Sequence, residues 1–212
     1  MSGQKKMKLY HNFPYRSLRC THLIEELGAR DDFEYISVSP YKEDKGVKDF
    51  EKINPHGTIP TLVLEDGTSL FDSASIVLYL AERYNKFLPP PSERANYLNW
   101  SIYPSATGDY ILYPLIHKML KEQADIDKQI KKFHDMAKYF SEYMKDRQYI
   151  CGDTFTAADC MVIYCFVCTV GVDPTLIKDY PIIQQYMARM SKRPAYAEAY
   201  KVPDWYVPGT MP

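Results

Sequence analysis

Residues 13–17, Phe13-Pro14-Tyr15-Arg16-Ser17, lie where the alternating segment MKLYH gives way to SLRCTHLIEELG, whose Leu18, Leu23, Ile24 and Leu27 recur at helical spacing. A phenol, a guanidinium and a hydroxyl are thus gathered at a helix start. Backbone N–H groups there are unpaired and carry partial positive charge, so the turn suits an anion or a group about to become one. Tyr15 can donate through its phenol and Arg16 can act by charge. Ser17 can donate or serve as the helix cap, and Asn12 offers a neutral amide. Pro14 has neither hydroxyl nor N–H and can do none of this. Tyr10 belongs to the strand pattern and is expected in the core. Further on, Asp72 and Ser73 open the helical pattern SASIVLYLAERY, a position where both residue types cap helices.

The five cysteines are Cys20, Cys151, Cys160, Cys165 and Cys168. Cys165 and Cys168 have C-x-x-C spacing but sit in the apolar run CMVIYCFVCTV with no second pair to complete a metal site, so buried, inert thiols are expected and no metal. A net charge of −1 creates no global field for nucleic acid or for an anionic membrane, and no apolar run approaches the length of a membrane span. The start of the chain has no signal-peptide pattern, which points to the cytoplasm.

The elements that must position these residues divide into two kinds. Up to about residue 85 the pattern is strand, helix, strand, weak helix, two strands around Asp66-Gly67, and helix, which predicts a small sheet with helices on both faces. The run FLPPPSERAN cannot continue a helix and marks a linker at 88–94. Beyond it, amphipathic helices are predicted at about 93–122, 126–146, 156–170, 177–190 and 195–200. Thr156 and Asp159 have the spacing of a capping box, and the apolar residues that follow surround their helix, which predicts a central, buried one. The expected domains are therefore α/β at 1–87 and all-α at 95–212.

In this order, KLYHNFPYRSLRCTHLIEELG, INPHGTIPTLVLEDGTSLFDSASIVLYLAERY, YICGDTFTAADCMVIYCF and RPAYAEAY resemble the cytosolic glutathione transferase family over essentially the whole chain. The resemblance implies an α/β thioredoxin-like domain followed by an all-α helical domain, a homodimer, and glutathione as co-substrate. In its first turn the chain is most similar to a bacterial and fungal group with an S-x-R-S-x-R pattern, in which Tyr15 and Ser17 take serine positions.

Glutathione is an extended tripeptide with two carboxylates, an amine and a thiol. The resemblance assigns its cysteinyl unit to Thr58, Ile59 and Pro60, because a cis Ile59–Pro60 bond would present the Ile59 backbone for strand-like pairing. It assigns the γ-glutamyl end to Ser73 for the carboxylate and Asp72 for the amine, unless the pair only caps the helix. Lys42 and His56 are candidates for the glycine carboxylate. Tyr15, Ser17 and Arg16, in that order, are candidates for holding the sulfur as a thiolate. With no cysteine in the turn, mixed-disulfide chemistry is disfavoured.

A small hydrophobic electrophile is expected between the domains, against an aromatic stripe of Trp100, Tyr103, Thr107 and Tyr110, with Pro104 and Gly108 loosening that helix. The expected activity is conjugation of glutathione to such an electrophile, or reduction of an organic peroxide. The alternative is a non-catalytic glutathione-transferase-like binding or regulatory module.

Overall fold

A computed structural model describes residues 5–39, 46–116 and 119–201. The alternating MKLYH segment is β1 (Met7–His11), and the Pro14 turn leads into α1 (Ser17–Leu27). Gly28 stops α1 at φ 66°, a left-handed conformation that glycine adopts without a side-chain clash. β2 (Phe33–Ser37) returns parallel to β1, and α2 (Phe50–Ile53) is a single turn. β3 (Thr61–Val63) and β4 (Ser69–Phe71) pair across the Asp66-Gly67 turn, where Gly67 has φ 94° and Asp66 Oδ1 accepts from the Thr68 N–H at 2.8 Å. α3 (Ser73–Tyr84) packs against α1 and buries Ile76, Val77, Leu80 and Ala81. Among the described residues the strands form one sheet in the order β2-β1-β3-β4, parallel only between β1 and β2.

The helical half comprises α4 (Arg94–Tyr103), a π-helical turn (Pro104–Gly108), α5 (Asp109–Ile116), α6 (Gln123–Met144), α7 (Ala157–Val172), α8 (Pro181–Met190) and α9 (Pro194–Ala199). The single helix expected at 93–122 is thus interrupted, because Pro104 has no N–H for the ladder and the chain inserts a wider turn there. The expected capping box forms, with the Thr156 N–H donating to Asp159 Oδ2 at 2.8 Å. Asp159 also accepts from the Ile150 N–H and the Tyr186 hydroxyl, both at 3.0 Å, so a buried carboxylate ties together three parts of the bundle.

Every residue from Ala157 to Phe166 is buried, and α7 packs on α4, α5, α1 and α3. The two halves therefore share one hydrophobic core, in which Leu23, Ile24 and Val77 of the first join Phe140, Met161 and Ile163 of the second. Cys20, Cys151, Cys160 and Cys165 are buried and Cys168 is half-buried. Burial pushes the Cys165 thiol up to about 11 and that of Cys168 up to about 12. Among the described residues no cluster of three or more His, Cys, Asp or Glu could hold a metal, and no helix is long and apolar enough to cross a membrane.

Candidate functional site

The turn between β1 and α1 is braced at both ends. Ser17 is fully buried, and its hydroxyl donates to the Asn12 carbonyl at 2.9 Å while accepting from the Asn12 N–H at 3.1 Å. The Asn12 amide in turn donates to the Val38 carbonyl at 2.7 Å. Ser17 and Asn12 are thus committed to holding the turn closed. Neither lines the cleft between the two halves. The Phe13–Pro14 bond is cis, and the Pro14 carbonyl accepts from the Tyr164 hydroxyl of α7 at 3.1 Å. Tyr15 and Arg16 are left at the lip of the cleft, each half-buried.

Facing this turn is the start of β3. The Ile59–Pro60 bond is cis, and Ile59 precedes the ladder, which begins at Thr61. Tyr10 pairs with Thr61, and two further steps along that register bring Asn12 opposite Ile59. Asn54, fully buried, holds the loop. Its amide donates to the Thr58 carbonyl at 2.9 Å and to Thr61 Oγ1 at 3.0 Å, and its Oδ1 accepts from the His56 N–H at 3.0 Å. The β3–β4 register pairs Thr61 with Phe71 and so places Pro60 opposite Asp72.

Asp72 has φ 67°, an uncommon conformation for a residue with a side chain. Its carboxylate is exposed and makes no cap bond to α3. The capping alternative is therefore not realised. The conformation costs of order 1–3 kcal/mol. Ser73 is buried at the first position of α3, with its hydroxyl 3.3 Å from Arg19 Nη1.

The cleft encloses about 550 Å³. Its first wall is the 13–16 turn with Gly57, Thr58 and Ile59, and its second is formed by α5 and α7 with Tyr196 and Tyr200. Under the first wall lies an ion cluster. Arg19, with no exposed surface, forks onto Asp109 of α5 through Nη1–Oδ2 at 2.9 Å and Nη2–Oδ1 at 2.7 Å. Its guanidinium sits 4.6 Å from the Tyr164 ring centre. Arg16 adds a third charge, with Nε 2.8 Å from Asp109 Oδ2. His11, at the end of β1, is kept neutral because burial, with help from Arg30, lowers its pKa to about 4.

The aromatic stripe does not form the wall of this cleft. Trp100 is buried among Tyr139, Phe140 and Tyr143, Tyr103 packs on Trp100, and Thr107 and Tyr110 face outward, Tyr110 with 72% of its surface exposed. For Thr107 and Tyr110 the reason is the π-helical turn. One inserted residue rotates the remainder of the helix by about 100°, so Asp109, Leu112, Tyr113 and Ile116 face the cleft instead. His56 also lies outside the cleft, exposed, its ring edge-on to Phe71 beside Asp72. Lys42 and the tail at 202–212 fall outside the described residues.

Arg19, Asn54, Asp109 and Tyr164 were not singled out by sequence reasoning. Only Asn54 carried a local signal, as the Asx of an Asn-Pro turn.

Two family models match the chain in order: "Glutathione S-transferase, N-terminal domain" over residues 16–83 and "Glutathione S-transferase, C-terminal domain" over residues 104–194. Among curated relatives, a glutathione S-transferase of Escherichia coli O157:H7, GstA, is 28% identical over 204 residues, covering 91% of this chain and 96% of its own. Among solved structures, YghU of Streptococcus pneumoniae, a glutathione transferase complexed with glutathione, has a TM-score of 0.85 at 24% identity, covering 96% of this chain and 85% of its own. A glutathione transferase of Burkholderia graminis, with two glutathione molecules bound per subunit, has a TM-score of 0.84 at 20% identity, covering 97% and 92%. These structural likenesses establish the fold: a thioredoxin-like α/β half followed by a helical half.

Proposed function

The chain belongs to the glutathione transferase family, and from that premise we propose that it transfers the sulfur of glutathione to an electrophile bound in the cleft between its halves. The observation that supports this assignment is that the Tyr15 turn and Ile59 line one cleft between the halves, while the β3–β4 register sets Asp72, which makes no cap bond to α3, opposite Pro60.

The extended tripeptide pairs its cysteinyl unit with Ile59, beside Thr58 and Pro60. Its γ-glutamyl amine meets Asp72 and its carboxylate the N-terminus of α3 at Ser73. Its thiol, with an ordinary pKa near 8.5, then lies at the 13–16 turn. The Tyr15 phenol and the start of α1 favour the thiolate by about one to two pKa units, roughly 1.4–2.7 kcal/mol. The thiolate attacks the electrophile, forming the carbon–sulfur bond as the leaving group departs with its electron pair. Lys42 or His56 takes the glycine carboxylate.

The linker at 88–94, a cytoplasmic location, a detoxifying role and a homodimer complete the proposal; light scattering tests the last. Retention on immobilised glutathione followed by turnover of 1-chloro-2,4-dinitrobenzene tests the function. Failure to bind glutathione overturns it.

A further inference from the structure

We infer that the electrophile for this cleft carries an anionic group, a carboxylate in the simplest case, which Arg16 receives. This rests on the transferase assignment and adds the substrate class. The starting observation is the charge balance of the cluster beneath the cleft. Asp109 accepts from Arg19 through a buried fork and forms an ion pair with Arg16 Nε, so two cations share one carboxylate and one positive charge is left over. Among the described residues that line the cleft, Arg16 and Asp109 are the charged ones. The excess is therefore not cancelled within its walls.

The excess charge is located on Arg16. Arg19 has no exposed surface and its terminal nitrogens meet Asp109, Ser73 and Cys165, whereas the Arg16 side chain is 43% exposed and bonds Asp109 through Nε. A guanidinium held by Nε keeps its terminal N–H groups available, in the planar geometry that suits a carboxylate.

Its contacts draw the guanidinium toward the helical half. The two groups that hold the Arg16 guanidinium, Asp109 and the Tyr113 ring at 5.4 Å from Cζ, both belong to α5 of the helical half. Arg16 and Ile59 stand on the same wall, and these two contacts turn the guanidinium across the cleft toward the helical half. The charge is thus drawn to the electrophile's side of the cleft, next to apolar surface from Leu112, Ile116 and Val167. Low-dielectric walls around one cation strengthen its attraction for an anion. An aryl or alkyl electrophile with one acidic substituent satisfies both features.

The test uses a matched pair, 4-chloro-3,5-dinitrobenzoate and its methyl ester, with the full chain and glutathione. After correction for their uncatalysed rates, kcat/KM should favour the carboxylate by about tenfold, roughly 1.4 kcal/mol. Arg16→Gln should abolish that preference and Arg16→Lys should keep part of it. A native ratio near one, or a ratio unchanged in Arg16→Gln, overturns the inference. So does an equal fall for both substrates in Arg16→Gln, which would assign the charge to the thiolate. Calorimetry with unreactive 3,5-dinitrobenzoate and its methyl ester, in the presence of glutathione, reads the same preference without turnover. Tighter carboxylate binding that is lost in Arg16→Gln, with neither chloride turned over, would sustain the anion site and sink the transferase assignment instead.

Discussion

Replacing Asp109 by alanine isolates the energetic weight of the ion cluster. Arg19 would keep its charge with no exposed surface and lose both arms of its fork, at 2.7 and 2.9 Å. Arg16, being 43% exposed, can turn to solvent. The cost is therefore that of one buried cation left without its anion, about 3–5 kcal/mol. That is a large part of the 5–15 kcal/mol typical of a folded domain.

In urea, with a slope of about 3 kcal/mol per molar for a chain of this size, the unfolding midpoint should fall by about 1–1.7 M. The double variant Arg19→Met with Asp109→Leu removes the charge together with its partner and should recover most of the loss. Tryptophan fluorescence follows both. Because Asp109 lies 90 residues from Arg19, in the other half, the Asp109→Ala transition should also broaden or split as the halves uncouple. A loss below about 1 kcal/mol in Asp109→Ala, or a double variant no better than the single, would refute the claim that the fork holds the halves together.

Tyr15→Phe should raise the pKa of enzyme-bound glutathione by about one unit and cut conjugation at neutral pH about tenfold, with glutathione affinity nearly unchanged; the pH–rate profile reads this, and an unshifted profile removes Tyr15 from the mechanism. Asp72→Ala should weaken glutathione binding by about 1.5–3 kcal/mol in titration calorimetry, the cost of a lost charge-assisted hydrogen bond, and unchanged affinity in a folded variant would refute its role. His22 is buried between α1 and α9, and burial, with the Arg193 charge, lowers its pKa although Glu26 opposes the shift. The unfolded chain takes up that proton near pH 6.5 and the folded one resists it, so stability is full above that pH and should fall below it by up to about 1.4 kcal/mol per unit. Urea midpoints measured between pH 7.5 and 5.5 should show this slope, to which His11 adds in the same sense, and His22→Phe should reduce it.

Local signals in the sequence sufficed for most of the elements. Asp66-Gly67 as a hairpin, the Thr156–Asp159 box and the all-apolar α7 are each specified by residues a few positions apart, and each forms as read. The cis Ile59–Pro60 bond was implied by the family resemblance and is present. Tertiary structure decided the rest. Ser17 reads as a donor or a cap, but only the closing of the turn onto Asn12 shows that its hydroxyl is consumed there. Tyr103, Thr107 and Tyr110 keep helical spacing on paper, whereas the π-helical turn at Pro104 shifts the register and hands the cleft to Asp109, Leu112 and Tyr113. No periodicity links Arg19 to Asp109 or Tyr164 to Pro14, at separations of 90 and 150 residues. Patterns of period two or 3.6 report which side of an element is buried, but a buried charge finds its partner only when two elements from distant parts of the chain pack face to face.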